Sequence, residues 1–217
     1  MEILEKEYFE FVNENEVKDS TLLKYKENKE NVIIPFGIKT LSSYAFRNNF
    51  AIKKLSMPYI KSIEDGEIVE AMTIEELDDF VGCFSGCINL NQVFLSKELK
   101  RLPACVFSKC RELEKIIFMS DIVEIDKMAF YGCTNLQEIK LPSSLEIIKM
   151  YAFYNCISLK TLFIPKSVKY IGKYAFSGMT PMQTIIFECD EKQSSNFHPA
   201  WNVGSDCKII WNYSVKK

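Results

Sequence analysis

The chain has 217 residues, of which 47% are hydrophobic and 26% are charged, a composition that excludes disorder for most of its length. Its 27 basic and 29 acidic residues leave a net charge of −2, so no overall field would gather nucleic acid or anionic lipid. The single histidine, His198, excludes multi-histidine metal sites and most histidine-dependent catalysis, and no apolar run approaches the roughly 18 to 20 residues of a membrane span.

The N-terminal segment 1–31 does not follow the periodic pattern of the rest of the chain. Two strand-like runs at 8–12 and 21–25 flank the polar segment 13–16, although a helix through the apolar residues of 3–11 is an alternative. We expect residues 1–31 to form a strand-like N-terminal cap. The charged N-terminus has no apolar stretch followed by a cleavage site, which predicts a cytoplasmic protein that reaches the surface only by a non-standard route.

From residue 32 to residue 187 the chain repeats itself. Apolar residues recur in phase at three, six, nine and eleven positions after each of five phenylalanines, and at eighteen positions after the first four of them. An earlier copy surrounds Phe46. The five phenylalanines recur at every 23rd position and are Phe84, Phe107, Phe130, Phe153 and Phe176. One copy cannot bury its apolar side alone, so the copies are predicted to stack into a solenoid.

Each copy contains the same order of local elements. Residues 159–165 alternate between apolar and polar like a short strand that ends at a proline, 167–172 form a second extended piece, and 173–178 form a helical turn. The sequence therefore predicts a β-rich α/β solenoid. We expect a right-handed coil of about six repeats with one short parallel sheet face, helical turns on the other side and caps at both ends.

The residues of one copy also carry a family resemblance. Residues 141–159 read Leu-Pro-x-Ser-Leu-x-x-Ile-x-x-x-Ala-Phe-x-x-Cys-x-x-Leu, which resembles the BspA-like, treponemal-type leucine-rich repeat, a repeat of the same period. The resemblance covers roughly 32–187 and implies a leucine-rich-repeat solenoid. Members of this family resemble surface adhesins and protein-binding modules, so a protein partner is what the resemblance implies.

An acidic insertion interrupts the repeats at 64–79. It holds eight acidic residues and no basic one, so the rest of the chain carries 21 acidic against 27 basic residues, about +6. Thr73 and Glu76 fit a capping box, which predicts a short helix within a solvated excursion. A docking or cation-attracting role is the alternative, although no calcium-loop spacing is present.

The eight cysteines are predicted to be buried structural thiols. Four of them share one column of the repeat, and Cys83 stands where other copies place alanine or valine. Side chains that point in parallel at the roughly 4.8 Å strand spacing suit neither a metal nor a disulfide. With His198 the only histidine, no thiol has an obvious base, so we expect no catalytic residue, no metal and no cofactor. The column members are Cys87, Cys110, Cys133 and Cys156.

The outward side of the strands is the candidate binding surface. Large apolar residues share one outward position in successive copies, interrupted only by Lys140, and water does not favour such a file unless a partner covers it. The candidate partner-binding residues are Phe94, Ile117, Phe163 and Ile186, with Lys115, Glu138 and Lys140 as a polar rim.

Residues 188–217 leave the period and hold both tryptophans, Trp201 and Trp211, which suit a C-terminal cap. Taken together, the sequence predicts a non-enzymatic protein-protein interaction module with no membrane span and no small-molecule substrate. Two alternatives stay open. One is a surface adhesin, and the other is a scaffold for nucleic acid, which is disfavoured because the basic residues form no single stripe interleaved with aromatic residues.

Overall fold

The computed structural model describes residues 9–11, 20–66 and 81–213, and within these ranges the chain winds through sixteen short strands. A 3₁₀ helix, Glu191–Asn196, precedes the last strand. In chain order the strands are β1 (Phe9–Phe11), β2 (Ser20–Tyr25), β3 (Asn31–Ile33), β4 (Ile38–Leu41), β5 (Lys54–Ser56), β6 (Ser62–Ile63), β7 (Gln92–Phe94), β8 (Arg101–Leu102), β9 (Lys115–Ile117), β10 (Glu124–Ile125), β11 (Glu138–Ile139), β12 (Ile147–Ile148), β13 (Thr161–Ile164), β14 (Tyr170–Ile171), β15 (Thr184–Phe187) and β16 (Lys208–Ile210).

The strands stack into two parallel ladders on different sides of a solenoid. The front ladder consists of the sheets β3-β5-β7-β9-β11 and β13-β15-β16, and the back ladder consists of β1-β2-β4-β6 and β8-β10-β12-β14. Every described strand pair is parallel except β1 with β2. The predicted stacking of the copies into a solenoid is therefore confirmed. The solenoid makes about eight turns, and the second extended piece of each copy builds a ladder of its own where the sequence indicated one sheet face.

The predicted helical turns are not confirmed. The segments between back and front strands are hydrogen-bonded turns, because some of their backbone N–H groups donate three residues back along the chain and the others donate to the neighbouring coil. The N–H of Phe130 donates to the carbonyl of Ala152 at 2.9 Å, and the N–H of Phe153 donates to that of Ala175 at 2.8 Å. Left-handed residues such as Met128, with φ of 58°, also prevent a regular helix in each turn.

The repeating phenylalanines form one continuous stack through the core. The rings of Phe46, Phe84, Phe107, Phe130, Phe153 and Phe176 lie in order, with centroids 5.0 to 5.7 Å apart and planes within 26° of parallel. All six side chains are buried, with at most 2% of any of them exposed. Because fully burying one large apolar side chain contributes about 1.5 to 3 kcal/mol, this column is a main source of the cohesion between coils.

Both ends of the solenoid extend the stack with different side chains. Tyr25 stacks on Phe46 at 5.0 Å, and Trp201 meets Phe176 edge-on at 5.8 Å. The segments predicted as caps, 1–31 and 188–217, contain strands that pair with their neighbours, since β2 pairs with β4 and β16 pairs with β15. Of the acidic insertion 64–79, only residues 64–66 are described, so its predicted helix lies outside the described residues.

Candidate functional site

The outward residues of the front ladder form a file in two register-matched parts, one on β3 to β11 and one on β13 to β16. Ser56, Phe94 and Ile117 lie opposite one another on β5, β7 and β9, and Phe163 and Ile186 lie opposite on β13 and β15. Their inward neighbours, such as Val93 and Leu162, are buried in the core. Because side chains alternate along a strand, burying the inward set forces the other set to the surface. We call this set the outward file: Ile33, Ser56, Phe94, Ile117, Lys140, Phe163, Ile186 and Ile210.

The candidate partner-binding residues differ in solvent exposure. Phe163 is 44% exposed, and Phe94 and Ile117 are half-buried. Ile186 departs from the expected exposure, since only 9% of it is accessible. The reason is β16, which adds Ile210 beside Ile186, on the side opposite Phe163. Ile186 therefore contributes to the packing of the last coils more than to an open surface.

Sequence reasoning missed an apolar cluster at the other end of the file. Ile33 pairs with Ser56 on β5 and is 70% exposed. Nearby, the ring of Phe36 meets that of Tyr59 edge-on at 5.2 Å, and the Nζ of Lys39 lies 5.2 Å from the Phe36 centroid. The available signal was the apolar run 32–34, which precedes Phe46, the first phenylalanine of the repeats.

The predicted polar rim is partly paired. The Nζ of Lys115 lies 3.6 Å from a carboxylate oxygen of Glu138 on the next coil. Lys140 is exposed and lines a shallow cleft at the edge of the front ladder, where β11 ends and β13 begins. The other residues of this cleft are Phe118, Leu141, Pro142, Ser143, Pro165 and Glu188.

A charged cluster on the back ladder is closed upon itself. The guanidinium of Arg101 donates to Asp65, Glu124 and Asp126, and the Nζ of Lys149 lies 2.9 Å from Glu124. Burial acts to lower the pKa of Arg101, but these hydrogen bonds raise it. For Asp126, burial acts to raise the pKa, yet the N–H of Lys127 and the guanidinium hold it below its usual range. Two cations therefore pair with three carboxylates, and these ion pairs join neighbouring coils.

The thiol column is built as core. The thiol of Cys133 donates to the carbonyl of Phe107 at 3.1 Å, and that of Cys156 donates to the carbonyl of Phe130 at 3.2 Å. Burial raises the pKa of Cys87 to about 12 and that of Cys133 well above its usual value. Within the described ranges, no group of three histidine, cysteine, aspartate or glutamate residues could hold a metal ion.

The accessibility of these thiols can be measured with a thiol-reactive dye. We expect Cys207, which is half-buried, to react first, because the other seven are buried. One thiol per native chain should react at least about a hundred-fold faster than the rest, and all eight should react in concentrated urea. A Cys207→Ser variant should lose the fast phase. Fast reaction of several native thiols would contradict the packing described for the column.

Comparison with known proteins places these features in context. A family model described as the BspA-type leucine-rich repeat region matches in six copies, over residues 7–78 and 80–198. No curated protein matches the sequence. In the part of the chain that the structure describes, no helix is long and apolar enough to cross a bilayer.

Several solved structures share the fold. A leucine-rich repeat protein of T. pallidum superposes with a TM-score of 0.71 at 22% identity, covering 88% of this chain and 84% of that one. A leucine-rich repeat protein from Eubacterium ventriosum gives 0.58 at 27% identity, covering 73% of this chain and 40% of that one. One from Bacteroides ovatus gives 0.61 at 22%, covering 83% and 42%. This chain therefore spans less than half of the latter two structures.

Proposed function

The chain belongs to the BspA-type leucine-rich repeat family, and from that premise we propose that it is a non-enzymatic module that binds another protein through the outward file. The observation that carries the proposal is the exposure of large apolar side chains in one register on the front ladder, above all Phe163 at 44% and Ile33 at 70%. Contiguous exposed apolar groups are typical of protein contact sites.

Two further features support this choice of surface. The file runs across strands held by parallel backbone hydrogen bonds, so its side chains are fixed before any partner arrives. Preorganisation of this kind lowers the entropic cost of association. In contrast, the charged cluster around Arg101 on the back ladder satisfies its own groups and offers a partner little.

The test removes the apolar character of the file without touching the core. We expect the double variant Phe94→Asp with Phe163→Asp to keep the wild-type unfolding midpoint within a few degrees and to weaken binding by at least about a hundred-fold, because buried aromatic anchors dominate interface energies. The partner would be identified by affinity capture and mass spectrometry, then purified, and its dissociation constant measured for each variant.

A matched control introduces the same charges elsewhere. Phe50 and Tyr170 are exposed aromatic residues outside the outward file. The double variant Phe50→Asp with Tyr170→Asp should bind like the wild type. If both double variants bind the purified partner equally well, the front ladder is not the contact surface and the proposal fails.

An adhesin would bind through the same outward file but would lie on the cell surface. We favour a cytoplasmic module because the core uses thiols as hydrogen-bond donors, as between Cys110 and the carbonyl of Phe84, a role that suits a reducing compartment. Cell fractionation combined with protease treatment of intact cells would distinguish the two locations. Recovery on the cell surface would favour the adhesin function and contradict the cytoplasmic one.

A further inference from the structure

The lysine that interrupts the outward file points to the chemistry of the partner. Resting on the proposed function, we propose that Lys140 receives a carboxylate from an amphipathic helix of the partner, whose apolar side chains lie against Ile117 and Phe163. The partner segment would carry an acidic residue between two apolar residues. Four independent features of the described residues support this assignment: the charge of the face, the unpaired state of Lys140, the cleft beside it and the spacing along the file.

The front face is positively charged at its outward positions. These positions hold four lysines and one glutamate from β5 to β16, a local excess of three positive charges in a chain whose net charge is −2. They are Lys54, Lys115, Lys140, Lys208 and Glu138. Complementary charge steers association and fixes the register of an interface, so this face favours an acidic partner.

Lys140 has no carboxylate to pair with on the neighbouring coils. Elsewhere, lysines reach acidic residues 23 positions away, as in Lys53 with Glu30 at 2.7 Å and Lys169 with Glu146 at 2.8 Å. The residues 23 positions before and after Lys140 are Ile117 and Phe163. Among the described residues, no carboxylate lies within ion-pair distance of Lys140, although its side chain is exposed.

The cleft beside Lys140 gives a partner side chain room to approach. The front ladder ends at β11 and starts again at β13, and prolines 142 and 165, which lack an N–H group, line the gap. Glu188 is the other charged residue of the cleft, and one of its oxygens accepts a hydrogen bond from the N–H of Lys166 at 3.3 Å. Glu188 forms no ion pair with Lys140 among the described residues, although both line the cleft.

The spacing along the file matches a helix. The core phenylalanine rings of these three coils are 5.7 and 5.2 Å apart, so Ile117 and Phe163 are expected to lie about 10 to 11 Å apart on either side of Lys140. Along a helix, residues i and i+7 are separated by about 10.5 Å, and i+3 or i+4 lies midway. A helix that runs along the stack can thus place apolar residues at i and i+7 against Ile117 and Phe163 while an acidic residue at i+3 or i+4 meets Lys140.

The test is a charge-swap selection with a defined probe. The full chain is used to select from a displayed library of helix-forming peptides randomised at i, i+3, i+4 and i+7. We expect the wild type to enrich aspartate or glutamate at i+3 or i+4 between apolar residues. We expect Lys140→Glu to enrich lysine or arginine there, and Lys140→Met to bind the wild-type consensus about 10- to 100-fold more weakly.

The control and the contrary outcomes separate this inference from the proposed function. Lys54→Glu carries the same charge change on the same face and should select the same central residue as the wild type. Peptides that require Phe94 and Phe163 but ignore the charge at position 140 overturn only the present inference. If no peptide binds, the helix partner is contradicted, whereas the protein-binding function is judged by the Phe94→Asp with Phe163→Asp variant. A single-stranded oligonucleotide that competes equally with every selected peptide would contradict both.

Discussion

Replacing Phe130 with alanine is expected to lower the free energy of unfolding by about 3 to 5 kcal/mol. Phe130 is fully buried, and its ring stacks on Phe107 at 5.7 Å and on Phe153 at 5.2 Å. Truncation removes the apolar area of one ring and leaves a cavity that both neighbouring rings border. The backbone cannot close this cavity easily, because hydrogen bonds to both adjacent coils fix the turn.

Urea denaturation followed by circular dichroism would measure the effect. Phe50→Ala is the matched control, since Phe50 is 56% exposed and its loss should cost less than about 1 kcal/mol. A central position makes Phe130 a better choice than Phe176, which ends the series of phenylalanines. Equal unfolding midpoints for the two variants would mean that the phenylalanine stack does not hold the coils together.

The second large effect is expected from Arg101→Met, which should cost about 2 to 3 kcal/mol at neutral pH. The variant leaves the carboxylates of Asp65, Glu124 and Asp126 with Lys149 as their remaining cation in the cluster. Asp126 is the critical member, because only 5% of its side chain is exposed. We set this cost below that of a fully buried ion pair because Arg101 itself is 39% exposed.

The pH dependence gives this prediction a distinct signature. Despite burial, the N–H of Lys127 and the guanidinium of Arg101 lower the native pKa of Asp126. The ionised carboxylate therefore stabilises the fold above the unfolded-state pKa of about 3.9, and that stability is lost as the pH falls through the native pKa. The difference between wild type and Arg101→Met should therefore be complete at pH 7 and should narrow below about pH 4.

The neighbouring Lys100 provides a surface control for Arg101. Its Nζ lies 3.8 Å from Asp121, and both side chains are more than half exposed. Lys100→Met should change the free energy of unfolding by less than about 1 kcal/mol. A difference between wild type and Arg101→Met that does not change with pH would show that lost packing, and not the ion pairs, causes the destabilisation.

The repeat was predictable because its signal is local and recurs. The constant spacing of the phenylalanines places Phe107, Phe130 and Phe153 in one column, and the structure confirms their stacking. The column of Cys110 and Cys133 could likewise be assigned to the core. Each of these positions holds a large apolar side chain or a thiol, and its place in the repeat follows from the constant interval in the sequence.

The parts that sequence analysis missed depend on contacts between coils. The second extended piece of each copy was predicted, but its pairing into a ladder was not, because a back strand such as Ile147–Ile148 has only two residues and is defined by its neighbours. The burial of Ile186 follows from β16, which lies outside the regular period and carries no phenylalanine to mark it. The Arg101 cluster joins residues up to 36 positions apart, including Asp65 beside the insertion.

The interruptions of the two ladders do not coincide. The back ladder is broken between β6 and β8, where β5 and β7 pair on the front, and the front ladder is broken between β11 and β13, where β12 and β14 pair on the back. In the described part of the chain, one ladder therefore bridges each gap in the other. A tensile force applied to the two ends would be carried by the front ladder at one gap and by the back ladder at the other. At each gap, backbone hydrogen bonds as well as side-chain packing would therefore resist separation of the coils.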